Sequence, residues 1–262
     1  MLNIQNRILV SKDMVKSHLF YQSISLEAQA SSNLTKKLYI AGHFSRILVK
    51  PSKEVLSITA TLKGSANLRR KAKPRLVFTE YDDSLCITEL LDSRNATDIA
   101  LTLEVLIPQK SLDLVSVQGA YADCFVDDLF VKKLSATSIT SDIYISNTDA
   151  HLIKTSNAHG LTCLSNTSFK EDLQVTSQSG DVELDVKVTG NDARLKVKSV
   201  CSDVYICLKG VKAFAHYSVN SKYGEVISKF RKGLGKHLLN LEVASNNSDI
   251  LVTNPIGHEL NN

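Results

Sequence analysis

The sequence predicts an all-β protein, a parallel β-helix or β-prism-like solenoid of about twenty-residue rungs with a less regular N-terminal β cap. Three observations predict it. A twelve-position pattern recurs seven times without gaps, its apolar positions alternate with polar ones, and every copy carries similar turn chemistry.

The copies begin at Val115, Leu134, Leu152, Leu173, Leu195, Tyr217 and Leu241, spaced by 19, 18, 21, 22, 22 and 24 residues. They read apolar-x-apolar-x-Ser-x-x-small-Asp-apolar-x-apolar, most clearly in LQVTSQSGDVEL from Leu173, LKVKSVCSDVYI from Leu195 and LEVASNNSDILV from Leu241. The first and third positions have the two-residue period of a strand with one buried face. The third column is Val117, Ala136, Lys154, Val175, Val197, Val219 and Val243, so the copy at Leu152 is the weakest. The fifth column is Gly119, Ser138, Ser156, Ser177, Ser199, Ser221 and Ser245. The ninth is Asp123, Asp142, Gly160, Asp181, Asp203, Glu225 and Asp249. Serine and aspartate hydrogen-bond nearby backbone amides, and the small residue before the acid tolerates a tight turn. A second strand follows, with pairs such as Val182/Leu184 and Ile250/Val252 facing inward.

A unit this short cannot bury its apolar face alone, whereas stacked rungs bury it and pair one another's backbone. Successive copies therefore predict successive rungs, with Val175, Val197, Val219 and Val243 in one inward column. An antiparallel β-sandwich also fits short strands and frequent turns, but gives no reason for one turn to recur at one period.

Residues 115–254 form the repeats, 33–114 the opening rungs or cap, 255–262 a tail, and 1–32 an arm or transit segment. Within the cap, LYIAGHFSRILV from Leu38 fits the template with Arg46 at the acid position. LVFTEYDDSLCI from Leu76 fits loosely, and LTLEVLIP is a strand that stops at Pro108. From Met1 to Leu26 the chain carries Arg7, Lys12 and Lys16 against one acid, Asp13, and Ile4, Ile8, Val15 and Leu19 share one face of a helix. This basic, acid-poor, amphipathic pattern predicts a transit segment and mitochondrial import. A frayed basic arm on a cytoplasmic protein is the alternative.

Composition narrows the function classes. Hydrophobic residues at 43% and charged residues at 22% are ordinary for a globular chain and argue against extended disorder. Tryptophan is absent and aromatics reach 6%, an unpromising supply for stacking sugars or bases. A net charge of +4 does not by itself imply a nucleic-acid partner. No apolar run matches a membrane-spanning helix. Cys86, Cys124, Cys163, Cys201 and Cys207 are odd in number and contain no C-x-x-C pair, so neither a zinc site nor a disulfide framework is expected.

The S-G-D-V-E-L type turns, preceded by LVFTEYDDSLCITELLD and LTLEVLIPQKSLDLVSVQG, resemble the "putative adhesin" β-strand-repeat domain family of unknown function, and most of all its animal members. The resemblance spans Leu38 to Val252. It implies the repeated β fold and carries no catalytic residues or cofactor.

Residue by residue, no catalytic group, metal site or cofactor is expected. The acids fall once per rung on a turn, where the local backbone accounts for them, and no glycine-rich calcium-binding nonapeptide accompanies them. His151, His159 and Cys163 are close in sequence, but His159 sits at a turn and Cys163 is read as inward-facing. Cys124 is read as a small buried hydrophobe and Cys201 as the exposed thiol. Two basic loops remain as candidate binding residues: Arg69, Arg70, Lys71, Lys73 and Arg75, then Lys229, Arg231, Lys232 and Lys236. They suit phosphate groups of RNA or anionic lipid, though without interleaved aromatics for base stacking. The leading expectation is a non-enzymatic binding or scaffolding solenoid with a protein partner. A carbohydrate-active β-helix enzyme and an anion-binding protein are the alternatives.

Overall fold

The computed structural model describes residues 3–9, 19–31, 34–53, 57–69, 73–92, 94, 96–109, 112–230 and 235–254, with side chains from residue 22 onward. These residues contain no α-helix, and their strands join in one coiled sheet of 21 strands. The N-terminal strands are β1 (Asn3–Leu9), β2 (Leu19–Ser31), β3 (Lys37–Gly42), β4 (Ser45–Ser52), β5 (Ser57–Arg69), β6 (Arg75–Tyr81), β7 (Ser84–Leu90) and β8 (Ala96–Pro108). The repeats supply β9 (Leu112–Gly119), β10 (Cys124–Asp127), β11 (Phe130–Ser138), β12 (Ile143–Ser146), β13 (Asp149–His159), β14 (Thr162–Ser179) and β15 (Val182–Val188). They end with β16 (Ala193–Cys201), β17 (Val204–Lys209), β18 (Val211–Ser221), β19 (Val226–Lys229), β20 (His237–Ser245) and β21 (Ile250–Thr253).

Each rung has three short sides. The first side stacks β9, β11, β13, the second half of β14, and β16 in parallel. The second stacks β4, β10, β12, the start of β14, β15 and β17. A third, short side aligns Ala150, Phe169 and Val188. The corner between the second and third sides needs a left-handed residue, and Asp128 (φ 55°), Asn147 (φ 50°) and Asn166 (φ 47°) fill it in successive rungs. Asparagine and aspartate tolerate that conformation better than other side chains do. Asn166 Nδ2 also donates to Asn147 Oδ1 at 2.8 Å, which ties one corner to the next.

The inward columns make one core. Val117, Ala136, Thr155, Val175, Val197, Val243 and Val219 lie opposite one another in order. All but Val219 are buried, and Val219 packs partly against the core. Two expectations need correction here. The copy read from Leu152 is displaced by one residue, because Leu134 lies opposite Ile153. A one-residue slip turns every side chain to the other face. Thr155 is therefore the inward residue and Lys154 is exposed, Asn157 takes the serine position, and Leu161 takes the acid position.

The rungs, moreover, do not all follow chain order. β20 lies between β16 and β18, and β21 between β17 and β19. The chain overshoots by one rung and returns to fill the gap. The N-terminal end does the same, with β3 between β7 and β9, and β4 between β8 and β10. At the C-terminal end the interior position goes to the strands richer in buried residues, with Leu241, Val243, Ile250 and Val252. At the N-terminal end β7 and β8 are buried as well, because β6 and β5 cover them.

Antiparallel strands close the N-terminal end: β6 on β7, and β1–β2–β5–β8 on the second side. The helical face expected for the N-terminus is replaced by strand at Asn3–Leu9 and Leu19–Ser31, with Val15 outside the described residues. β2 pairs with β5 over its whole length and buries Ile24, Leu26, Ala28 and Ala30. Two predictions follow from this packing. Val197→Asp puts an unpaired charge into a fully buried column at a cost of about 3–5 kcal/mol, and chemical denaturation should show loss of the native state. Deleting residues 1–31 uncovers Ile58, Ala60 and Leu62 of β5, so the truncated chain should bind a hydrophobic dye or precipitate, whereas deleting residues 1–9 should be tolerated far better.

Candidate functional site

The acids gather along the edge where the first side turns into the second, and the aspartates among them share one structural duty. Asp123 Oδ1 accepts the Asp142 amide at 3.3 Å, and Asp142 Oδ1 accepts that of Leu161 at 2.8 Å. Asp181 accepts the amide of Asp203, Asp203 that of Asp249, and Asp249 that of Glu225, at 3.2, 3.0 and 2.8 Å. Five carboxylates thus fasten the acid position of the next rung, and the run breaks once, at Leu161. The buried serine column closes the same turns: Ser138 Oγ accepts the Ser141 amide, Ser221 Oγ accepts that of Gly224, and Ser199 Oγ donates to the Ser202 carbonyl. Gly180 (φ 110°) sits in this edge, where a Cβ would collide with the Gly160 backbone.

The edge begins at Arg46, which approaches Asp123 (3.7 Å) and lies over the Phe125 ring. Phe125 stacks on Tyr144 with centroids 4.8 Å apart. Tyr144 donates its hydroxyl to Asp142 at 2.9 Å. That hydrogen bond, helped by burial and the charge on Asp142, pushes the phenol up to about 12. Around the corner, His43, Phe44 and Tyr121 form an aromatic group. Its backbone is held by Glu89, only 3% exposed, whose Oε2 accepts the amides of His43, Phe44 and Ser45 at 3.0, 3.2 and 3.0 Å. Nothing in the single sequence marks Glu89, which reads as one acid within the strand ITELL.

Further along, Asp203 raises the Tyr205 phenol, with Asp181 and Asp249 adding to the effect. The depression on the second side is lined by Cys163, Glu183, Asp185, Tyr205 and Cys207 and is wide open. Asp185 is paired with Lys209 there, and among the described residues no group of three histidines, cysteines or acids is placed to hold a metal ion.

Cys124 is inward, in register with Ile143, and burial pushes its thiol up to about 12. Cys163 corrects the expectation of an inward residue: it aligns with Tyr144 and Glu183 in an outward column, half-buried, and burial raises its thiol as well. Cys201 is exposed. His151 lies 3.4 Å from Glu171, and His159 contacts Ser179 at 2.7 Å. The two basic loops stand at opposite ends of the solenoid. Arg69 ends β5, Arg75 begins β6 and Lys73 lies just before it, all at the capped end and exposed. Lys229 ends β19 and Lys236 precedes β20 at the other end, also exposed. Arg70, Lys71, Arg231 and Lys232 lie outside the described residues.

Fold and edge together define a three-sided parallel β-solenoid whose acid ladder ties neighbouring rungs together. The chain belongs to the Toastrack DUF4097 family, whose model matches residues 109–254, more than half its length. No curated protein matches it. Among solved structures it is similar to a putative adhesin from Bacteroides fragilis (12% identity, 88% of this chain and 96% of that one, TM-score 0.43). It is also similar to a putative adhesin from Parabacteroides merdae (10%, 86% and 95%, TM-score 0.39) and a putative cell adhesion protein from Clostridium sporogenes (9%, 88% and 99%, TM-score 0.36). Likeness at this level transfers no residue role.

Replacing Asp203 by Ala should cost about 1 kcal/mol through the stranded Asp249 amide, and Asp203→Asn less, since its amide oxygen still accepts. Urea titration of both variants checks the order. The raised Tyr144 phenol favours the protonated native state, so its contribution is intact below the ordinary value of 10.0 and is lost as pH rises towards about 12. Tyr144→Phe should therefore flatten the fall of stability across that window, read from melts at a series of alkaline pH values. Among the described thiols, a thiol reagent should modify Cys201 first and Cys124 last.

Proposed function

We propose that the chain is a non-enzymatic binding or scaffolding rod that presents outward columns to a protein partner. The observation that carries this reading is the use of the acids. Most of them accept the amide of the neighbouring rung, and the described acids of the edge meet no cation that would pair with them as a catalytic partner except Arg46 at its start. Catalysis needs unlike groups converging on one point, and a carbohydrate-active enzyme gains no support from this edge. The first side, by contrast, sets Lys133, Lys154 and Lys198 among Ser135, Thr137, Ser156 and Thr176 on a rigid sheet with rungs about 4.8 Å apart. Rigid spacing of this kind suits an extended partner. A second reading, anion binding, is favoured by the exposed lysines at the end of the solenoid. Mitochondrial import stays part of the proposal, with any cleavage ahead of Leu19, because β2 completes the cap.

The test is quantitative affinity capture from the native cells with the wild-type chain and a Lys154→Glu/Lys198→Glu variant of unchanged thermal stability. Proteins retained by the first and lost by the second support the reading. Turnover of a glycan that disappears in Asp181→Asn without loss of stability would falsify it.

A further inference from the structure

The end of the solenoid formed by β18 and β19 differs from the rest in three respects. The first is backbone. β18 pairs with β20 and β19 with β21, and among the described residues neither has a partner on its other edge. Lys222 donates its amide to Ser245 of the neighbouring rung. By the two-residue alternation of a strand, the amides of Tyr217, Val219 and Ser221 then point out of the sheet. The second is side chains. Tyr217 and Val226 continue columns that are closed one rung earlier, at Leu241 (0% exposed) and Ile250 (1%), yet they are 40% and 39% exposed. Phe214 and Phe230 pack on each other with centroids 4.4 Å apart and lie partly buried against the core beside these residues. The third is charge. From Val211 to His237 the sequence holds six lysines and arginines and a single acid, Glu225, so this segment carries +5 in a chain whose total is +4. Lys212, Lys222, Lys229 and Lys236 are described, and all are exposed.

We propose that this end is a docking edge for an extended acidic polypeptide segment, which adds a strand to β18. Its alternate apolar side chains cover Tyr217 and Val219, while its carboxylates meet the lysines around the rim. Strand addition supplies main-chain hydrogen bonds, and the side-chain pattern supplies selectivity. A second copy of the same end is disfavoured, because it brings positive charge against positive charge. An anionic membrane or an RNA answers the lysines but makes no use of an open strand edge. The opposite end is finished by antiparallel strands, and its edge strands β1 and β6 belong to that cap, whereas this end presents a parallel rung of the solenoid itself, ringed by lysines. The inference rests on the binding reading above and names where on the rod one partner sits.

The test uses the full chain and a labelled alternating Glu-Val peptide, followed by fluorescence anisotropy. Alternating Lys-Val peptide, oligoglutamate of the same length and phosphatidylserine vesicles serve as comparisons. The expected result is saturable, salt-sensitive binding of the Glu-Val peptide, weaker by about tenfold in Lys222→Glu/Lys229→Glu and lost in Val219→Pro, which removes an outward amide. Melting curves establish that both variants fold, and the lysine pair, being exposed, decides the matter if the proline variant does not. Absence of binding overturns the proposal. So does equal binding of oligoglutamate or vesicles with no effect of Val219→Pro, or sedimentation of the free chain as a dimer that Lys222→Glu/Lys229→Glu strengthens. Each of these outcomes removes the docking edge and leaves the lateral faces untouched, so the scaffold reading stands or falls on its own experiment.

Discussion

Parallel, in-register stacking of inward apolar columns is the constraint on which everything else in this molecule depends. A rung has too little apolar surface to fold by itself, and its backbone groups find partners only in the rungs above and below. Once Val175 faces Val197 and Val197 faces Val243, the outward residues are aligned as well, because both sets alternate along the same strands. The acid ladder, the serine column and the lysines of the first side are all consequences of that register.

Stacking identical turns also creates a problem, since it brings like charges to about 4.8 Å from one another. The edge answers it with geometry: most of these carboxylates accept a backbone amide from the neighbouring rung, so each is held by a hydrogen bond to the rung beside it. Residues that look like an acidic array in sequence thereby act as fasteners between rungs. The same logic explains why Leu161 is tolerated in the column. It supplies the amide that Asp142 needs, and the missing carboxylate interrupts the run of acids.

The two ends of the solenoid are finished in different ways. At one, antiparallel strands and the buried Glu89 lock the first turn and its aromatic group. At the other, the chain runs out one rung too far and comes back, leaving an outer rung that is basic, half-buried and paired on one side. An end of this kind is the weakest part of a stacked array. It is also where a partner's strand can be added without disturbing the core.

Sequence alone determined the fold class, the rung length and most of the inward columns, because these follow from local alternation and turn chemistry repeated at a fixed spacing; it placed the acids on the turns but gave them local partners, whereas they accept amides of the neighbouring rung. It misplaced the copy at Leu152, since LIKTS offers two adjacent apolar residues and threonine can occupy an inward position as well as lysine can occupy an outward one. Cys163 was misassigned for a similar reason, as cysteine fits both faces. Only the tertiary structure decided which rung neighbours which, that residues near the N-terminus complete the cap as strands, and that Glu89 holds the turn opposite it. Those outcomes depend on pairing between segments distant in sequence, which is selected by the total area each arrangement buries and leaves no periodic mark on the chain.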